Sequence, residues 1–188
     1  RRSTAADALR IPRPVHRLDG PTGGLLLVAK RAHALVALSR QFQHRMVYKR
    51  YEAMVHGKVT GHFRLESPVA GRAAVTVGSA LESAGGFPGS RCTHLILEPL
   101  TGRTHQIRRQ LAEYGHPVVG DSVHGLESGP CPHLHLWAVE LAFVHPGTEL
   151  VMDVLTHPPA WFARPVRAVA GDRAGSGYGN GRETGPLA

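Results

Sequence analysis

The segment VYKRYEAMVHG, Val47 to Gly57, alternates between apolar and polar positions from Tyr48 to His56. Tyr51, Ala53 and Val55 fall on one side, and Glu52, Met54 and His56 on the other. A period of two is a strand with one face against a core, so something must cover that face. Upstream, Ala32, Leu35, Val36, Leu38 and Phe42 recur near helical spacing between Arg31 and Met46, which predicts an amphipathic helix. Downstream come weak strands near 63–69 and 73–78, a hairpin loop at SAGGFPGS (83–90) and a strand over Thr93–Glu98. A helix over Thr104–Tyr114 follows, with Ile107, Leu111 and Tyr114 on one face, and Gly115-His116-Pro117 ends it. Leu134–Phe143 and Leu150–Leu155 read as two further strands.

Gly24 to Ala29 is a short apolar run fit for a buried strand, and residues 1–14 are a polar, proline-broken lead-in. From about Ala163 the chain is rich in Gly, Arg and Ala and reads as a disordered tail. No internal repeat and no regular βα alternation occurs. The expected fold class is therefore α+β, with a mainly antiparallel mixed sheet and flanking helices.

A chain of 188 residues with 42% hydrophobic content fits one globular domain with a substantial core. The net charge of +8, with a pI near 10.3, favours a polyanionic partner, and nucleic acid is the commonest. Cys92 and Cys131 are the only cysteines, which implies no disulfide framework and a reducing compartment. No apolar run approaches the roughly 18 residues of a membrane span, and no signal-peptide core lies near the start, so a cytoplasmic location is expected, or an organellar one in a eukaryote.

Two segments concentrate chemistry-bearing residues: HRLDGPTGGLLLVAK (16–30) and LTGRTHQIRRQLAEYGHPVVGDSVHG (100–125). The second packs Arg103, His105, Gln106, Arg108 and Arg109 into seven positions. Such a cluster can grip phosphates, and one Arg can turn inward to a buried carboxylate. A solvated basic helix face explains the same charges. Asp19 before Gly-Pro is also ordinary turn chemistry, and Tyr51 alternates as a core residue would. The 13 His residues raise metal binding, since strand alternation would put Cys131, His133 and His135 of CPHLHLW on one face. No paired CxxC or HxxxH spacing accompanies them, so no metal is expected. Neither a GxSxG elbow nor a GxGxxG dinucleotide fingerprint is present.

Taken together, the segments resemble the RluA/RsuA-type RNA pseudouridine synthases, in order as well as content. HRLDGPTGGLLLVAK is similar to that family's HRLD-x-x-T-S-G-L-L-L-x-A-K, and VYKRYEAMVHG to its K-x-Y-x-A-x-V-x-G strand. LTGRTHQIRRQLAEYGHPVVGD resembles G-R-T-H-Q-I-R-x-H-L followed by G-H-P-I-x-G-D, and LHLWAVELAFVHP resembles L-H-A-x-x-L-x-F-x-H-P. The likeness runs from about Val15 to Phe162, which gives a catalytic domain over 15–162. D-x-P-T-x-G, R-R-x-L-A and G-D-S-x-H-G look most like the TruC-typified branch that modifies tRNA, with rRNA as the alternative substrate. Gly23 stands where Ser is usual, Gln110 where His is common, and Trp137 where the motif has His.

The resemblance implies a cofactor-free isomerase acting on RNA as a monomer. It makes Asp19 the reactive carboxylate, Tyr51 the residue stacking on uracil and Arg108 the salt-bridge partner of Asp19. Leu136 becomes the apolar floor and Arg17 the filler of the gap left by a flipped nucleotide. Lys49, Arg103, His105, Gln106 and Arg109 become contacts to the RNA. The family usually carries more sheet before HRLD, so a chain with only residues 1–14 ahead of Val15 is expected to lack N-terminal strands. A catalytically inactive RNA-binding homologue is the rival expectation.

Overall fold

The structure is a computed structural model and describes residues 6–81, 92–125 and 131–162. The loop expected at 83–90 and the tail from 163 lie outside the described residues. The elements in chain order are β1 (Ala8–Pro14), β2 (Gly23–Gly24), β3 (Val28–Arg31), α1 (Ala32–Gln43), β4 (Tyr48–His56), β5 (His62–Leu65) and β6 (Thr76–Ala80). β7 (Cys92–Pro99), α2 (Gln106–Glu113), β8 (Leu136–Val144) and β9 (Val151–Leu155) complete them. The main sheet has seven strands in the order β2-β8-β4-β7-β6-β5, with β9 also on β8. β2 runs parallel to β8, and the other pairings are antiparallel. The α+β expectation holds.

β4 sits between β7 and β8, as its alternation demands. Ala53 and Val55 are fully buried with Leu95, Leu97, Leu136 and, from α2, Ile107 and Leu111. Each large apolar side chain so buried contributes about 1.5–3 kcal/mol. The opposite face packs Met54, Cys92, Val119 and Phe162. α1 seals a separate cluster, with Leu38 on Val47, Leu141 and Phe143. The β4–β8 register slips between Arg50, opposite Glu140, and Tyr51, opposite Ala138, so Val139 is an extra residue. This bulge lets Leu136 and Ala138, then Leu141 and Phe143, share one face despite their odd spacing.

Several sequence expectations need correction. Residues 8–14 of the lead-in form β1, which pairs with β3 in a separate two-stranded sheet. Five of its seven residues are exposed, so no apolar alternation marks it, and Pro12 and Pro14 are tolerated on a ribbon with a free edge. The run from Gly24 to Ala29 is split between β2 and β3. Gly24 adopts φ +108, and a Cβ there would lie 2.2 Å from Ala138 O, so only glycine fills the position. The weak strands shift to 62–65 and 76–80. Cys131, His133 and His135 precede β8, so they share no strand face.

α2 buries a face that is polar in sequence. Gln110 donates to the carbonyls of Ser67 (3.0 Å) and Ala74 (3.0 Å) and accepts from Thr76 Oγ1 (2.7 Å). Gln106 accepts from Thr101 Oγ1 (2.7 Å) and donates to Val75 O (3.0 Å) and Thr76 Oγ1 (3.0 Å). With their amides satisfied, the two glutamines bury at little cost and clamp the helix onto the sheet.

Candidate active site

Asp19 occupies a turn in which its carbonyl accepts the Thr22 N–H at 2.8 Å. The turn reading was therefore correct as far as it went. Its side chain, 15% exposed, looks into a cleft of about 510 Å³ lined by Arg17, Tyr51, Leu136, Arg103, His105 and Lys49, among others. Leu136 faces the same side of the sheet as Tyr51 and Ala53 and is buried. Arg17 is exposed at the rim. The His16 ring does not serve the cleft as a cation: Nε2 accepts the Leu27 N–H at 2.9 Å, and the ring stacks on Phe42. Burial pulls its pKa down to about 4, so it is neutral and fixes the segment entering the Asp19 turn.

Arg108 reaches Asp19 from behind the cleft. It is 2% exposed, and its Nη1 lies 3.5 Å from Asp19 Oδ2. Its main partner is one the sequence reading did not assign: Asp121 accepts from Nε at 2.8 Å and from Nη2 at 2.6 Å. Asp121 Oδ1 also accepts the N–H groups of Val123 and His124, both at 3.0 Å. Burial opposes the Asp121 charge, yet the Arg108 and backbone hydrogen bonds outweigh it and hold the carboxyl below its usual range. The Asp121 hydrogen bond in turn raises the Arg108 pKa, against the pull of burial. VVGD carries no signal of this pairing, because the partners stand thirteen positions apart across loop and helix.

His105 caps α2 in the left-handed region, at φ 56, without a side-chain capping bond. That conformation costs a non-glycine residue roughly 1–2 kcal/mol. Its Nδ1 lies 2.8 Å from His124 Nε2, and its Nε2 lies 3.9 Å from Asp19 Oδ1. Tyr51 has its pKa raised to about 12 by burial and by the neighbouring Asp19, so its hydroxyl stays protonated at neutral pH. Lys49 donates to Thr101 O at 3.3 Å, and burial lowers its pKa to about 8. Arg103 fixes the far rim through Nε to Ala73 O at 3.2 Å. Gln106 lines the cleft with its amide already committed inside the fold, and Arg109 sits on the exposed face of α2. Among the described residues no three His, Cys, Asp or Glu side chains converge as a metal set, and no helix is long and apolar enough to cross a membrane.

The family model described as RNA pseudouridylate synthase matches residues 2–113, more than half the chain. The chain belongs to the RNA pseudouridylate synthase family. Ribosomal large subunit pseudouridine synthase D of Nitrosomonas europaea is 37% identical over 77% of this chain and 48% of its own length. tRNA pseudouridine synthase C of Salmonella typhi is 35% identical over 71% of this chain and 63% of its own. The chain thus spans about half to two thirds of the length of these relatives. A solved structure, Human RNA Pseudouridylate Synthase Domain Containing 1, superposes with a TM-score of 0.71 at 29% identity, covering 79% of this chain and 69% of that one. These relatives are pseudouridine synthases of both tRNA and rRNA by name, in keeping with the isomerase expectation.

Two departures from the family's motifs are neighbours in space. Gly23 pairs with Trp137 across β2 and β8, and a Cβ at Gly23 would lie 2.1 Å from the Trp137 ring. The indole occupies the room a serine would need, so a side chain at position 23 and this ring exclude one another. Gln110, the third, is the clamp between α2 and the sheet described above.

Proposed function

We propose that this chain isomerises uridine to pseudouridine in structured RNA, with tRNA as the first substrate class and rRNA as the second. The observation that carries the reading is Asp19: a carboxylate at the cleft wall, 3.5 Å from a buried guanidinium and beside Tyr51 and Leu136. The reaction breaks the N-glycosidic bond, turns the freed uracil and rejoins it through carbon 5. It needs a carboxylate near the ribose, a surface for the base and exclusion of water, and it involves neither redox change nor hydrolysis. Asp19 supplies the carboxylate, as nucleophile at the ribose carbon or as base at its neighbour. Tyr51 supplies a ring for stacking and a protonated hydroxyl, and Leu136 the apolar floor. Arg17 enters the gap left by the extruded nucleotide and offsets part of the few kcal/mol that unstacking costs. Lys49, Arg103 and His105 meet the RNA backbone along the rim, with Arg109 outside it.

In this reading the catalytic unit spans 15–162, with β1 as part of its scaffold, and works as a cytoplasmic monomer without cofactor or metal. The tRNA preference rests on the DGPTGG, RRQLA and GDSVHG segments. Pseudouridine mapping on tRNA and rRNA after incubation with wild type and Asp19→Ala tests it. The wild type forms pseudouridine, and the variant loses about a thousandfold or more in rate. Activity that survives the substitution overturns the mechanism. RNA bound by the wild type without any pseudouridine formed favours the inactive RNA-binding homologue instead.

A further inference from the structure

We propose that Asp121 is a positioning residue for this reaction: it holds Arg108 so that one amino group, rather than a two-pronged grip, faces Asp19. The proposal rests on the reading that Asp19 is the reactive carboxylate. A guanidinium offers five N–H donors in a rigid planar fork, and its strongest mode is bidentate to one carboxylate. Here that mode belongs to Asp121, through Nε at 2.8 Å and Nη2 at 2.6 Å. The geometry leaves Nη1 turned towards Asp19 Oδ2 at 3.5 Å, beyond a strong hydrogen bond. Were Asp121 absent, the fork would be free to close on Asp19 and engage the lone pairs that the reaction uses.

A second line leads back to the same carboxylate. Asp121 Oδ1 accepts the backbone N–H groups of Val123 and His124, each at 3.0 Å, and so fixes the turn that carries His124. The His124 ring meets His105 Nδ1 at 2.8 Å, and His105 Nε2 faces Asp19 Oδ1 at 3.9 Å. Both groups opposite Asp19 are therefore oriented through Asp121, which is 4% exposed and does not line the cleft.

The substitutions Asp121→Asn and Asp121→Ala separate positioning from plain structural support. Asn keeps an oxygen for the Val123 and His124 N–H groups but turns an N–H donor against the fork, whereas Ala removes both functions. Turnover, KM for RNA, Tm and the Arg108 side-chain Nε–H resonance are measured for each variant and the wild type. For Asp121→Asn we expect Tm within a few degrees of wild type and KM within about threefold. Its kcat falls about a hundredfold, the scale of a small misplacement of a catalytic group. Its Arg108 Nε–H resonance shifts and exchanges faster with solvent. Wild-type kcat with an unmoved resonance in Asp121→Asn overturns the proposal, as does a kcat loss that only follows a collapse of Tm in both variants. If the wild type isomerises no uridine, the functional reading falls, and the resonance alone then decides whether Asp121 holds Arg108.

Discussion

Asp19 and Asp121 are the same residue type on opposite sides of one guanidinium, and each belongs to a short turn. Asp121 is held by four donors: two side-chain and two backbone N–H groups converge on it, and its side chain is 1% exposed. Asp19 has Arg108 at 3.5 Å and His105 at 3.9 Å, and opens onto the cleft. The difference is in unspent hydrogen-bonding capacity. A carboxylate gripped by four donors holds a scaffold, and one held at a distance keeps the capacity to react.

The largest break in this comparison comes from Arg108→Met, which leaves both carboxylates without their shared cation. Removing one partner of a buried ion pair costs about 3–5 kcal/mol, so chemical denaturation should show a loss of that size together with loss of turnover. Next is Gly23→Ser, four residues after Asp19, which drives a side chain into the Trp137 ring. Overpacking of this kind costs about 1–3 kcal/mol, and adding Trp137→His should recover most of it. Additive effects in the double variant would refute the steric coupling of the two positions. The smallest effect concerns Lys49 on the open side. Its pKa near 8 means the ammonium loses its proton, and its attraction for phosphate, as pH rises from 7 to 9. RNA affinity at fixed salt should weaken by a few fold over that range, and Lys49→Gln should flatten the profile.

Much of the scaffold was legible because burial leaves a period in the sequence. Tyr48–His56 emerged as β4 with the predicted bounds, and the two helices and the Thr93–Glu98 strand emerged within a few residues. β1 was missed because a ribbon exposed on most of its length has no apolar period to read. The split after Gly24 was missed because a continuous apolar run does not say which sheet each half joins. In the site, the motif order located Asp19, Tyr51, Arg108 and Leu136, which the fold brings to one cleft or its wall. It also drew in Gln106, whose amide is spent inside the fold, and Arg109, which stands outside the cleft lining.

By itself the sequence determined the strand and helix periods, the basic charge and the family, since these depend on residue type and order along the chain. Only the tertiary structure decided that Arg108 has two carboxylates and that Asp121 takes the stronger grip. It alone decided that Gly23 and Trp137 share one space and that Gln110 is a clamp. Hydrogen bonds and packing act between groups close in space, and neither residue type nor spacing states which distant groups the folded chain will bring within 3 Å of one another.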